Sequence, residues 1–143
     1  MQAPEALRSL AIQLQALIRV VARRQGLSST QALILLTIPV DGSPLSELAQ
    51  RLGLDASTIT RVTANMATAG LVKRRRSTTD RRVFLIAATA KGRELHQQLL
   101  DRWEQEVRAV LDTLEPERRD SLGRDLEELS WQLLRHRAGG VSG

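Results

Sequence analysis

Six basic side chains fall within ten positions, and they are the residues most clearly suited to binding an anion. They are Lys73, Arg74, Arg75, Arg76, Arg81 and Arg82, and they flank the segment Ser77–Asp80. Arginine forms paired, charge-assisted hydrogen bonds with phosphate groups. A run of like charges often marks only a solvated face, so the neighbouring segments decide whether this run is a phosphate-binding surface.

A small polar helix face precedes the basic run. At about 100° per residue, Ile59, Val62 and Met66 share one face of a predicted helix, and short polar side chains lie on other faces. Arginine hydrogen-bonds to guanine, asparagine to adenine, and hydroxyl groups to either base. The candidate base-contacting residues are Ser57, Thr58, Thr60, Arg61 and Asn65. The alternative is an ordinary amphipathic helix whose polar face is only solvated.

Two short helices joined by a sharp turn are predicted to position this polar face. The first ends at about Leu52, and Gly53 at the break tolerates left-handed dihedral angles. Asp55 is a good N-cap for the second helix, and Ala49 is small enough for the helices to cross steeply. This spacing is typical of a helix-turn-helix, whose second helix enters the major groove of DNA.

A β-hairpin is predicted to carry the basic run. Leu71–Val72 starts an extended segment, Val83–Ala88 is a β-branched and aromatic strand, and Ser77–Asp80 is the turn. A hairpin after a recognition helix is a wing, which contacts the DNA backbone or enters the minor groove. Arginine suits a narrow minor groove because negative potential is concentrated there. The wing candidates for DNA contact are Arg74, Arg75, Arg76, Arg81 and Arg82.

The sequence resembles the MarR family of winged-helix regulators. The resemblance lies in the helix pair SELAQRLGLDASTITR, the junction GLVKR at Gly70–Arg74, and the motifs DRR at Asp80–Arg82 and TAKG at Thr89–Gly92. The resemblance covers most of the chain, and its wing motif is more specific than its helix-turn-helix. Ala88 departs from the family, which usually has leucine before the threonine, so packing at the base of the wing is left open.

The resemblance implies roles for two wing residues and several partners. Arg82 would enter the minor groove, and Asp80 would steady the wing by an ion pair. The family also implies a homodimer on a palindromic double-stranded DNA operator, and a small-molecule or oxidative signal that changes DNA affinity. It assigns no ligand-binding residue here.

Other helices are predicted on both sides of the winged helix-turn-helix. Ser28 and Gln31 form a capping box, Pro39 ends the helix that follows, and either Ser43 or Ser46 caps the next one. Thr89 caps a long helix to about Thr113, and the last helix starts at Pro116.

Apolar stripes on the outer helices favour a dimer. In the first helix they are Leu7, Leu10, Leu14, Leu17 and Val21, and in the last Leu122, Leu126, Leu129 and Leu133. A chain of 143 residues is too small to cover them all easily, so a twofold dimer is expected, with a monomeric bundle as the rival. The predicted fold is mainly α with a small β-hairpin. Residues 1–28 and 94–137 form the dimerisation region, 29–93 the DNA-binding domain, and 138–143 a flexible tail.

Composition excludes several classes of site. The chain has no cysteine, which removes disulfides and thiolate metal sites. His96 and His136 stand alone, and no nucleophile or phosphate-loop motif occurs, so neither an enzyme nor a bound metal or cofactor is expected. Three aromatic residues are too few for stacking on single strands. No stretch is long and apolar enough to span a membrane, and a cytoplasmic location is expected.

The distribution of charge favours duplex DNA as the partner. The net charge is +5, yet residues 71–93 alone carry +7 and residues 94–143 carry −4. A basic segment on a neutral or acidic body orients a protein on a polyanion. We therefore expect a dimeric DNA-binding regulator, a repressor relieved by a small-molecule ligand. The alternatives are an activator of the same family and a winged-helix protein-interaction module that does not bind DNA.

Overall fold

The computed structural model describes residues 1–139, which form six helices and one two-stranded antiparallel sheet. In chain order the elements are α1 (Ala3–Arg24), α2 (Ser29–Thr37), α3 (Leu45–Leu52), α4 (Ala56–Thr68), β1 (Val72–Arg76), β2 (Phe84–Ala88), α5 (Ala90–Leu111) and α6 (Pro116–Gly139). The prediction of a mainly α fold with a small β-hairpin is confirmed. Of the tail predicted at 138–143, Ala138 and Gly139 are helical, and the remaining four residues lie outside the described part.

The helices belong to two compact units, of which the first is Met1–Trp103. Its core contains large side chains from α2, α3, α4 and α5. Each of these is less than 2% exposed: Ile34, Leu35, Leu48, Ile59, Met66 and Leu99. Burying one such side chain contributes about 1.5–3 kcal/mol to the free energy of unfolding. Because α4 packs on this core through its apolar face, its polar face is directed away from the core.

The helix boundaries in the first unit have local causes. The Gln31 amide donates to Ser28 Oγ (3.1 Å), and the Ser28 amide donates to Gln31 Oε1 (3.0 Å), so the predicted capping box is present. Ile38 leaves the helical region (φ −60°, ψ 122°) because the following proline disfavours it there. Neither Ser43 nor Ser46 caps α3, whose N-cap position is occupied by Pro44 without a side-chain hydrogen bond.

Ser43 has a different role, which the sequence did not indicate. It is buried, and its amide and carbonyl form hydrogen bonds of 3.0 and 2.8 Å with the carbonyl and amide of Ile86. These bonds join the loop before α3 to the outer edge of β2. The hairpin is therefore attached along this edge to the body of the first unit.

The TAKG segment, Thr89–Gly92, contacts the residues at the end of α4 through hydrogen bonds and one close backbone approach. Thr89 Oγ1 accepts from the Gly92 amide (3.1 Å) and caps α5, as predicted, and it donates to the Gly70 carbonyl. Lys91 Nζ donates to the Ala69 carbonyl (3.1 Å) at the end of α4. A Cβ on Gly92 would overlap the carbonyl oxygen of Leu71. The segment thus holds the end of α4 against the start of α5.

The second unit begins at Glu104 and contains the end of α5 and all of α6. α5 ends at Leu111, two residues before the predicted end, and Pro116 is the first residue of α6, as predicted. Arg119 pairs with Asp112 (2.8 Å) and Arg108 pairs with Glu104. Within the described chain α6 contains no buried residue, and Leu126, Leu129 and Leu133 of its apolar stripe are exposed.

Candidate nucleic-acid interface

The turn between α3 and α4 sets the direction of the predicted recognition helix. Gly53 adopts a left-handed conformation (φ 66°, ψ 31°), and its amide bonds to the carbonyls that end α3. Asp55 is the N-cap of α4, with Oδ1 accepting from the Thr58 amide at 2.7 Å and from Ser57 Oγ at 2.8 Å. Gly53 and Asp55 therefore act as predicted from the sequence.

These hydrogen bonds lower the pKa of Asp55. The Thr58 amide is the largest cause, the Ser57 and Thr58 hydroxyls follow, and the positive charge of Arg61 adds to them, against a small opposing effect of burial. The carboxylate therefore stays ionised at neutral pH. Its charge suits the positive end of the helix dipole.

The predicted base-contacting residues lie on the surface of α4. Ser57, Thr60, Arg61 and Asn65 are exposed, and Thr58 is half-buried. The Thr60 hydroxyl donates to the Ala56 carbonyl (2.7 Å), so toward a ligand it acts as an acceptor. Arg61 and Asn65 make no side-chain hydrogen bond within residues 1–139. Among the five candidates, these two have the most donors available for a base edge.

The hairpin places the wing residues on two faces. In the register of β1 and β2, Arg76 lies opposite Phe84 and Arg74 lies opposite Ile86. Because side chains alternate along a strand, Arg74 and Arg76 share a face with Phe84, and Arg75 lies on the other face. β1 begins at Val72 and continues for four more residues to Arg76. β2 begins at Phe84, so Val83, which was predicted to lie in this strand, is outside it.

The wing tip is longer than the predicted four-residue turn. The Ser77 amide bonds to the Val83 carbonyl (2.9 Å), and the Val83 amide bonds to the Asp80 carbonyl (3.0 Å). The Ser77 hydroxyl accepts from the amides of Thr79 and Asp80 at 3.2 and 3.3 Å. The connection therefore runs from Ser77 to Val83 and is held by its own hydrogen bonds.

Asp80 holds Arg82 in a fixed position at this tip. Asp80 Oδ1 accepts from the Arg82 amide (3.0 Å) and from Arg82 Nε (3.2 Å), and the Arg82 side chain is 91% exposed. The Arg82 side chain is the largest cause of a lowered pKa at Asp80, and the Arg82 amide adds to it. The ion pair that the resemblance implied is present. Its role in DNA binding remains a prediction.

Arg76 and Phe84 have contacts that the sequence analysis did not anticipate. Arg76 Nη1 donates to the Arg81 carbonyl (2.8 Å), so this arginine closes the base of the wing tip. The guanidinium carbons of Arg74 and Arg76 lie 4.3 and 4.9 Å from the centroid of the Phe84 ring. The predicted turn at Ser77–Asp80 would place Arg81 opposite Arg76, whereas the longer connection observed here places Phe84 there.

A groove of about 390 Å³ separates α4 from the hairpin, and we call it the α4–wing groove. Its lining residues are Leu45, Thr60, Thr63, Ala64, Ala67, Lys73, Arg74, Phe84 and Ile86. It brings together Thr60 and Arg74, one candidate from each predicted set. The other candidates lie outside its lining: Ser57, Thr58, Arg61 and Asn65 on α4, and Arg75, Arg76, Arg81 and Arg82 on the hairpin and its tip.

Residues 1–139 contain no cluster of three or more histidine, cysteine, aspartate or glutamate side chains arranged to hold a metal ion. In that same part of the chain, no helix is long and apolar enough to cross a membrane.

Comparison with known proteins identifies the family. The model of the MarR family matches residues 27–84. The transcriptional regulator MosR of Mycobacterium tuberculosis, solved in complex with DNA, is 30% identical, with 96% of this chain and 99% of that chain covered and a TM-score of 0.64.

Two further structures share the fold. A crystal structure of MarR is 20% identical, with 97% and 95% of the two chains covered and a TM-score of 0.80. CouR of Rhodococcus jostii RHA1, bound to p-coumaroyl-CoA, is 22% identical, with 87% and 89% covered and a TM-score of 0.74. No curated protein sequence matches the chain. From the family model and the identity to MosR, the chain belongs to the MarR family of winged-helix transcriptional regulators.

Proposed function

We propose that this protein is a homodimeric repressor that binds a palindromic DNA operator and releases it when a small molecule binds. The observation that carries the proposal is the position of two surfaces on one unit. α4 and the arginine-rich hairpin both border the α4–wing groove, and one candidate from each, Thr60 and Arg74, lines it. Duplex DNA presents base edges and phosphates side by side, whereas a small substrate would need a closed pocket.

The residues divide the work between sequence recognition and affinity. Arg61 and Asn65 would hydrogen-bond to base edges in the major groove, and Ser57, Thr58 and Thr60 would support them at bases or phosphates. Arg82, held by Asp80, would enter the minor groove, where A·T-rich sequence narrows the groove. Arg74, Arg75, Arg76 and Arg81 would contribute positive charge toward the backbone.

A dimer would place two such units on one operator. Leu126, Leu129 and Leu133 share one face of α6 and are 42%, 46% and 60% exposed. α1 likewise exposes Leu7 and Leu10. Burying these side chains against a second copy removes apolar surface from water. A twofold dimer reads two half-sites when its recognition helices are about 34 Å apart.

Solved structures of similar proteins support both proposed partners, DNA and a small molecule. MosR has been solved with DNA, as has MepR of Staphylococcus aureus, and CouR has been solved with p-coumaroyl-CoA. A small molecule that favours a conformer with different spacing between recognition helices would lower operator affinity. Repression is proposed as the simplest outcome of occupying a promoter, and activation uses the same DNA-binding surface.

A gel-shift assay on the DNA upstream of the gene for this protein tests the proposal at two salt concentrations. We expect a retarded complex whose affinity falls steeply with salt, because each neutralised phosphate releases counterions. An unrelated fragment of equal length should bind much more weakly. Absence of a complex with any upstream fragment at low salt would favour a protein-interaction module instead.

A further inference from the structure

Phe84 is an exposed aromatic residue on an otherwise basic hairpin. Its side chain is 41% exposed, and it lies directly opposite Arg76 and diagonally from Arg74. Both guanidinium groups lie within 5 Å of its ring centroid. At that distance the ring attracts the two cations and restricts their rotamers. The exposure of Phe84 and its contacts with two cations are not typical of a residue whose role is to fill the core.

The two arginines differ in whether their hydrogen-bond donors are already used within the protein. Arg76 donates to the Arg81 carbonyl and is committed to the wing tip. The Arg74 guanidinium makes no hydrogen bond or ion pair within residues 1–139. Its donors are therefore available, and contact with the Phe84 ring favours its observed position. Fixing a long side chain before binding reduces the entropy lost when a ligand is bound.

Arg74 and Phe84 stand on the hairpin side of the α4–wing groove. Ala64 and Ala67 of α4 lie across from them, and Lys73 adds a second cation. A protein with a helix in the major groove and a wing in the minor groove must straddle the sugar–phosphate strand that separates them. The small apolar side chains leave room for deoxyribose, and the cations suit its phosphates.

We propose that Phe84 is a positioning residue for DNA binding, which holds Arg74 at the α4–wing groove so that it contacts a phosphate of the strand lying there. The inference rests on the proposed DNA-binding function and adds to it a specific role for an aromatic side chain. Phe84 acts through Arg74, and the ring itself reads no base.

The test measures operator affinity by fluorescence anisotropy over a series of salt concentrations for the wild type, Phe84→Leu and Phe84→Trp. We expect Phe84→Leu to weaken binding about two- to fivefold. The magnitude of the slope of log affinity against log salt should fall by about 0.9, the value of one lost phosphate contact. Phe84→Trp preserves a π-face and should retain the wild-type slope. Thermal unfolding of each variant establishes that the fold is intact.

A double-mutant cycle separates positioning from a general structural effect. If Phe84 acts through Arg74, then Phe84→Leu should change affinity little in an Arg74→Ala background. An undiminished effect of Phe84→Leu in that background, or equal slopes for Phe84→Leu and wild type, would overturn the inference.

A measurement without DNA distinguishes this inference from the proposed function. The aromatic ring should shift the NMR resonances of the Arg74 side chain, and Phe84→Leu should abolish the shift. If the shift is present and the wild type binds no DNA, the proposed function fails. If the wild type binds DNA and the Arg74 resonances are the same in Phe84→Leu, the inference about Phe84 fails.

Discussion

Arg61 and Arg82 are both exposed arginines of the first unit, and we propose different tasks for them because their surroundings differ. Arg61 projects from α4, and its positive charge is a minor cause of the lowered pKa of the N-cap Asp55. Arg82 lies at the wing tip, where Asp80 accepts hydrogen bonds from its amide and its Nε. The first environment suits a base edge in the major groove, and the second suits a narrow groove of negative potential.

A pair of alanine variants tests this division. Arg61→Ala should cost about 1–3 kcal/mol on the operator and relax the preference at one base position. Arg82→Ala should weaken binding across sequences without changing the preference at a single base position, and reduce the magnitude of the salt slope by about 0.9. Affinities for a set of single-base operator variants at several salt concentrations measure both effects. Arg23→Ala, which removes an exposed arginine from α1, serves as the matched control. Wild-type binding by both variants would contradict the assignments.

The lowered pKa values of Asp55 and Asp80 predict how the interface responds to acid. Each carboxyl has a pKa below its ordinary value of 3.8, because hydrogen bonds favour the ionised form in the folded protein. Their stabilising effect is therefore fully present above pH 3.8 and is lost as the pH falls through the lower folded values. Both carboxylates stay ionised between pH 5 and pH 8, so their titration should cause no loss of N-cap or wing-tip structure in this range.

Carboxyl NMR titration checks this expectation directly. Both aspartates should titrate below 3.8 in the wild type. In Arg82→Ala, the Asp80 pKa should move back toward the ordinary value while that of Asp55 stays the same. An Asp80 pKa unaffected by removal of Arg82 would show that the ion pair does not form in solution.

At the scale of elements, the junction between α4, the hairpin and α5 depends on close approach of backbone at Gly92. A methyl group there would overlap the Leu71 carbonyl oxygen, which is backbone and cannot move alone. Gly92→Ala should therefore destabilise the fold by about 1–3 kcal/mol. Gly123→Ala is the matched control, because its new methyl group meets no atom within 4 Å and the change favours helix. Denaturant unfolding should separate the two variants, and equal stability would contradict the proposed packing.

Local signals explain which elements the sequence predicts. The capping hydrogen bonds at these helix ends join groups within four residues of each other along the chain, so the residue types there indicate the ends. The residues are Ser28, Gly53, Asp55 and Thr89. Contacts between distant segments are not visible in this way. Ser43 resembles a helix cap in the sequence, yet it pairs with Ile86 because the loop before α3 lies along β2.

The same distinction between local signals and contacts of distant segments applies to the residues of the candidate site. The exposed face of α4 was predicted from helical periodicity. An ion pair of Asp80 was implied by the family resemblance, and the structure shows Arg82 as its partner. The contacts of Arg74 and Arg76 with Phe84 required the strand register, which depends on where the wing turn begins and ends. A turn placed at Ser77–Asp80 is shorter than the observed connection, and it conceals this pairing.

At the scale of the whole molecule, the apolar stripe of α6 is the feature that best supports the proposed dimer. Leu129 lies in the middle of this stripe and is 46% exposed. Leu129→Glu should shift the protein toward monomer, because a charge buried in an apolar interface loses its hydration. Sedimentation equilibrium measures the change, and operator affinity should fall with it. Arg124→Glu, which reverses a charge on the opposite face of α6, should leave both unchanged. A monomeric wild type would remove the basis for the prediction.

Paired recognition of duplex DNA is the central claim, and hydroxyl-radical footprinting on the upstream region tests it most directly. The account predicts protection on both strands that is symmetric about one dyad. The two half-sites should be centred about 10–10.5 base pairs apart, or a multiple of that distance, with minor-groove protection where the wings lie. A footprint over a single half-site, or no protection at protein concentrations that saturate binding in the gel-shift assay, would contradict it.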